Sequence, residues 1–208
     1  MQAMAPRRLA AHQIQEAGET LGRAFFDDPF FVYALPAPAT RRRTMAAWCA
    51  ALVRYGYLFG EVYTTPGPVR GVAIWLPPGA AHITPLRALR AGWVWIPLRL
   101  GIAGMGRVFW AAHSLSDVYR RTALARHWHL SWLGVDPLHQ RQGIGSALLQ
   151  PGLARADAER LPCSLATFNA ANVPFYQHHG FQVVAAGTGS RGRLPLWIMQ
   201  REPVGAPA

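Results

Sequence analysis

An apolar run of β-branched and aromatic residues at 128–135 and a helical pattern opening at Gly145 are joined by Gln140-Arg141-Gln142-Gly143-Ile144-Gly145-Ser146. No other stretch limits the fold so strongly. A strand that turns through glycines into a helix aims the unpaired N–H groups of the first helical turn, and the positive end of the helix dipole, at one point. That point is an anion site, and glycine lets a bulky phosphate approach the backbone. The dinucleotide-binding fingerprint needs Gly or Ala three residues after Gly145, where Leu148 stands, so a Rossmann reading is weak.

Composition removes another rival for the same turn. All 21 basic residues are Arg; the chain has no Lys. A nucleotide-binding P-loop needs a Lys to reach the terminal phosphates, and a Schiff-base enzyme needs a Lys amine. Both are excluded. With 208 residues, 51% of them apolar and 15% charged, the chain is expected to bury one core, as a single domain over 1–203 followed by a loose tail at 204–208. Cys49 and Cys163 stand far apart with no second thiol near either, which spells out no disulfide framework and no metal site. The N-terminus has Arg7 and Arg8 but no apolar run behind them, so the expected location is cytoplasmic. The most membrane-like stretch, 91–112, is interrupted by Pro97, Arg99 and Arg107, and each central Arg costs roughly 2.5–3.5 kcal/mol to insert, so no integral membrane span is expected.

Periodicity orders the rest. Helices are expected over 10–26, stopped by Asp27-Asp28-Pro29, and over 40–59. The runs 61–64 and 70–76, separated by Pro66-Gly67-Pro68, read as an antiparallel hairpin. The segment 62–116 contains no Asp or Glu and reads as helices broken near Pro97 and Gly104. Strands follow at 128–135, 163–168, 181–186 and 194–200, with helices at 145–159 and 172–178. The order is mixed α/β.

Val135-Asp136-Pro137, Gln140-x-x-Gly143-x-Gly145, Asn172, Phe175-Tyr176 and Gly180-Phe181 resemble, in order and spacing, the cofactor-binding core of the GNAT N-acetyltransferase superfamily. Within it, 148–153, Asn172-x-Pro174-Phe175-Tyr176 and the N-terminal Ala24-Phe25-Phe26-Asp27-Asp28-Pro29 look most like the puromycin N-acetyltransferase group. The resemblance implies an α/β fold of the α+β type: a central mixed, mostly antiparallel sheet with a splayed parallel strand pair, flanked by helices. It implies an acceptor-side part at 1–126 and an acetyl-CoA core at 127–203. Acetyl-CoA, with no metal, would lie between the strands at 128–135 and 163–168, its pyrophosphate held by Gln140, Arg141, Gln142, Gly143, Ile144, Gly145 and Ser146. The backbone of Leu133 and Val135 would pair with the pantetheine arm, and an N–H near Leu133 could stabilise the oxyanion of acyl transfer. Tyr176 matches the family's general acid, against a reading as a buried aromatic. Asn172 matches a polar contact to pantetheine, against a helix cap. Phe175 reads as wall.

The base is where the pattern departs. The puromycin-type enzymes carry a Glu on the strand after the loop helix, and the matching residue here is Ala166. His129 on the preceding strand is a substitute, because imidazole titrates near neutral pH; a water chain is an alternative. The net charge of +11 divides into +9 over 1–126 and +2 over 127–208, so the surplus lies outside the cofactor core. Solvated helix faces, a surface for nucleic acid or membrane, and a pocket for an anionic acceptor compete to explain it, with the tryptophans at 93–110 read as core and nucleic acid not expected. Only six acids in 1–126 argues against polycationic acceptors and for a small mono-amine, which Asp27 and Asp28 could orient. The expectation is direct acetyl transfer to a primary amine of a small molecule; the alternative is a non-catalytic acyl-CoA-binding module. Oligomeric state, homodimer included, is left open.

Overall fold

A computed structural model describes residues 5–120, 124, 126–189 and 194–205. In chain order the elements are β1 (Arg7–Arg8), α1 (Ile14–Ala24), α2 (Pro29–Ala34), α3 (Pro38–Phe59), β2 (Glu61–Thr64), β3 (Gly71–Leu76), α4 (Pro85–Arg90) and α5 (Ile96–Arg120). The second part gives β4 (Trp128–Val135), α6 (Ile144–Ala158), β5 (Cys163–Thr167), α7 (Val173–His178), β6 (Gln182–Gly189) and β7 (Leu194–Arg201). They form one seven-stranded sheet in the order β1-β2-β3-β4-β5-β7-β6. Every neighbouring pair is antiparallel except β4 and β5, which run parallel. The sheet is therefore mixed and mostly antiparallel, flanked by helices, as the resemblance implies.

β3 explains how the two layers hold together. Its six residues are all buried, and alternate side chains leave on opposite faces. Val72, Ile74 and Leu76 join the cluster built with α1, α2 and α3; Ala73 and Trp75 join the one built with α6 and α7. Small residues set the helix distances. A Cβ on Gly18 of α1 would stand 2.6 Å from Ala50 of α3, and one on Gly152 of α6 would stand 2.1 Å from the Trp75 ring.

Four expectations are corrected. Asp27-Asp28-Pro29 does more than stop a helix: the Asp28 carboxylate accepts the Phe30 N–H at 2.9 Å and starts α2, with Pro29 at its first turn. Pro97 lies in the first turn of α5, and the break inside that helix is at Gly101 (φ 65°, ψ 175°) rather than Gly104. The tryptophans at 93–110 are not all core, since Trp95 and Trp110 are exposed by 65% and 44%. In the expected tail, the Val204 N–H donates to Asp157 at 2.9 Å, while 206–208 lie outside the described residues.

Candidate active site

The parallel pair opens part-way along. β4 pairs with β5 from Trp128↔Cys163 to Leu130↔Leu165 and no further, whereas its antiparallel pairing with β3 continues to Val135↔Gly71. Ser131 is the extra residue of a bulge, because Ile74 faces Trp132 while Trp75 faces Leu130. A bulge increases local twist and turns the strand away from its neighbour. From Ser131 onward the β5-facing edge of β4 is open, and Leu133 and Val135 lie on that open stretch.

Beyond Val135 the chain turns through the glycine loop. Asp136 accepts the Leu138 N–H at 3.0 Å and the Arg23 guanidinium at 2.7 Å, which ties the loop's entrance to α1. Burial works against this carboxylate, but Arg23 and the Leu138 N–H hold it below the usual range. Gln140 donates its side-chain amide back to the Val135 carbonyl at 3.1 Å. Arg141 and Gly143 then take left-handed conformations (φ 58° and 77°), and α6 starts without a side-chain cap. An uncapped helix of this length presents its N–H groups to an anion, and left-handed residues just before it gather further amides into the same concavity. Arg141, Gln142 and Gly143 are exposed, whereas Ile144 is buried. Ser146 Oγ lies 3.0 Å from His179 Nε2, and the Phe175 ring lies over Gly145, so α7 braces the start of α6.

A cavity of about 650 Å³ lies beside the open stretch, lined by β4, β5, α7, α2 and the segment 81–115. Its wall is apolar apart from a few groups. Asp28, His129, Ser131, Thr167, Asn172 and Tyr176 line it, and among the described lining residues Asp28 is the only carboxylate and no Arg takes part. Burial raises the Asp28 carboxyl to about 6, offset in part by the N–H groups of Phe30 and Phe31. Burial, and secondarily the Asp28 charge, push the Tyr176 hydroxyl above the ordinary tyrosine range. The two groups therefore line the same cavity and feel each other's charge. Asn172 occupies the N-cap position of α7 without capping it; its amide approaches Thr167 Oγ1 at 3.4 Å.

The cavity brings together Asp28, His129, Leu133, Asn172 and Tyr176, with Ala166 also in its wall. It does not include Asp27, whose exposed carboxylate lies 3.7 Å from Arg41. His129 is half-buried, with Nδ1 3.0 Å from Ser164 Oγ, and desolvation together with the nearby His127 lowers its value to about 4. At neutral pH it is an uncharged imidazole of low basicity. Among the described residues, no Arg lines the cavity. Among the described residues no group of three or more His, Cys, Asp or Glu comes together to hold a metal, and no helix is long and apolar enough to cross a membrane.

Residues 99–183 match the family model described as the acetyltransferase (GNAT) domain. The chain is 28% identical over 207 residues to an uncharacterized N-acetyltransferase of Schizosaccharomyces pombe, covering 96% of this chain and 84% of that one. Its architecture matches the Drosophila melanogaster polyamine N-acetyltransferase, an enzyme that forms N-acetylagmatine (TM-score 0.64, 13% identity, 96% and 100% of the two chains). It also matches the PaiA N-acetyltransferase of Thermoplasma acidophilum, solved in complex with coenzyme A (TM-score 0.54, 13% identity, 96% and 99%). The fold is that of the GNAT acetyltransferases. The family model over 99–183 and the S. pombe relative are likewise those of GNAT-type and N-acetyltransferase proteins. The GNAT match spans β4, the glycine loop, α6, β5 and α7, the elements that build the open strand pair and the loop.

Proposed function

We propose that this chain is an acetyl-CoA-dependent N-acetyltransferase that acts by direct transfer on a primary amine carried by a small, largely apolar molecule. One observation carries the reading: a half-buried carboxylate, Asp28, the one carboxylate among the described lining residues, and a buried tyrosine, Tyr176, line one apolar cavity beside the opened β4–β5 pair. Acetyl-CoA, when bound, supplies the acetyl group as a thioester. The loop at Gln140, Arg141, Gln142, Gly143, Ile144, Gly145 and Ser146 fits a pyrophosphate, because its left-handed residues and the uncapped α6 converge amides on one point. Leu133, Val135 and Asn172 would hold the pantetheine arm, with Phe175 as wall.

In this reading Asp28, rather than His129, handles the acceptor's proton. Ionised above about pH 6, its carboxylate holds the incoming ammonium and takes a proton from the nitrogen as the amide forms. Tyr176 stays protonated across the working range and hands its hydroxyl proton to the departing sulfur. Per turnover the ammonium loses two protons; one ends on the thiol and one in solvent. Asp28 thus meets the need that Ala166 leaves open, from a position other than that of the Glu of the puromycin N-acetyltransferase group.

One carboxylate balances one ammonium, so the reading selects mono-amines with apolar or aromatic bodies and disfavours polyamines. Thiol release measured across an amine panel tests this: arylalkyl and alkyl mono-amines should turn over, with diamines and polyamines at least about tenfold lower in kcat/KM. Coenzyme A binding with no turnover on any amine would instead establish an acyl-CoA-binding module.

A further inference from the structure

The segment that roofs the cavity also has an unusual outer surface. Nine of the large apolar side chains exposed among the described residues fall between positions 83 and 110; Ile83, Leu89 and Val94 line the cavity, whereas Leu86, Trp95 (65%), Leu98 (76%), Ile102 (95%), Phe109 (64%) and Trp110 do not. Exposed apolar groups scattered singly are ordinary, but a concentration in one segment marks an interaction surface. α4, the short turn at Trp93–Trp95 and α5 pack on one another and on α3, and the six side chains outside the cavity lining remain exposed. The charge there is of one sign. The sequence from 62 to 116 contains no Asp or Glu, and Arg90 and Arg99 are exposed among the apolar groups.

We propose that the outer surface of α4–α5 docks onto a lipid bilayer that carries anionic headgroups. Charge and hydrophobicity select this occupant together. Leu98 and Ile102 would enter the acyl boundary, Trp95 has the amphipathic ring favoured at headgroup depth, and Arg90 and Arg99 reach anionic headgroups along their aliphatic stems. A second copy of the chain fits poorly. A symmetric contact through this face would set guanidiniums against guanidiniums with no carboxylate to neutralise them. The binding is peripheral, since no described helix is long and apolar enough to span. Each Arg near an anionic surface adds attraction that falls off within a Debye length, so the association should weaken with salt.

The same segment lines the inside of the cavity, so a bilayer on its outer side would stand next to the site proposed for the amine. Vesicle binding is read without turnover, so its failure is distinct from failure of the acetyl-transfer reading.

The test is co-sedimentation of the full chain with large vesicles of phosphatidylcholine alone or with about 30 mol% phosphatidylglycerol. The proposal expects at least about tenfold stronger partitioning onto the anionic vesicles, lost by about tenfold in Leu98→Ser/Ile102→Ser and reduced in Arg90→Gln/Arg99→Gln. Thermal unfolding of each variant checks that the fold is kept. A second measurement on the unaltered chain needs no substitution: lipids spin-labelled on the acyl chain should quench tryptophan fluorescence. Absence of vesicle binding overturns the proposal, as does binding that neither variant pair weakens. Self-association of the unaltered chain that the double serine variant abolishes, without vesicle binding, also overturns it and assigns the face to a second copy.

Discussion

At position 28 one carboxylate starts a helix and lines the cavity, and those two tasks can be separated by substitution. Asn keeps the oxygen that accepts the Phe30 N–H but carries no charge. The folded-state value of Asp28, about 6, lies above the unfolded value near 3.8. Between those limits the folded chain holds a proton that the unfolded chain has released, so stability falls as pH rises through the window and stays lowered above it. Asp28→Asn should therefore stabilise the protein at pH 8 by on the order of 1–3 kcal/mol, with the gain shrinking toward nothing at pH 4. Urea unfolding at the two pH values checks this. In kinetics the unsubstituted enzyme should lose kcat/KM as pH falls through about 6, and the Asn variant should lack that limb. Tyr176→Phe should lower kcat by about 10²-fold or more, with KM for acetyl-CoA within about twofold, because the proposed role of the hydroxyl is at the leaving sulfur rather than in cofactor binding. An equal loss in kcat and in coenzyme A affinity would instead make Tyr176 a wall of the site. The sequence displays the Tyr176 context plainly, since Phe175-Tyr176 and Gly180-Phe181 are adjacent in the chain. It shows the cavity-facing carboxylate only as one member of an Asp pair. Which of the two turns inward depends on α2, a helix of six residues that periodicity over so short a run does not reveal. Asp followed by Pro was the available signal, as an N-cap and first-turn pair.

Secondary elements were legible where a long apolar pattern coincided with punctuation. The strand at Trp128–Val135, the glycine turn and α6 are all visible in the chain, and they build the loop half of the site. What the pattern does not encode is the place where β4 leaves β5. Separation begins at Ser131, where a bulge against β3 shifts the register, and a single inserted residue in an apolar strand has no compositional mark. The break in α5 shows the same limit, because Gly101 and Gly104 are alike in sequence and only the backbone tells them apart. Packing between elements can be tested at Gly152. A Cβ there would stand 2.1 Å from the Trp75 ring, and Trp75 is fully buried and too large to yield. Gly152→Ala should therefore separate α6 from β3 and cost about 1–3 kcal/mol in urea unfolding, despite the helix preference of Ala. Because α6 carries the loop at its other end, coenzyme A affinity should fall in the same variant. Gly106→Ala, with no atom within 4 Å of its added Cβ, is the matched control in a helix and should be neutral or slightly stabilising.

Over the whole molecule, charge and ligand site are arranged on separate parts of the chain. The formal charge of +11 lies mainly in 1–126, while the proposed pyrophosphate site is built from backbone amides in a part with a surplus of only +2. A positive field of that size should draw in a polyanionic coenzyme from a distance, and salt screens such long-range attraction with a Debye length of about 10 Å at 0.1 M. Short hydrogen bonds from fixed amides are screened far less. Raising NaCl should therefore slow coenzyme A association several-fold while leaving dissociation within about twofold, since long-range fields act on the encounter and close contacts on the bound state. Stopped-flow binding across a salt series separates the two rates. Dissociation that accelerates in step with the slowing of association would move the main hold on the pyrophosphate from the amides of the α6 terminus to guanidiniums, with Arg141, exposed in the loop itself, as the first to substitute.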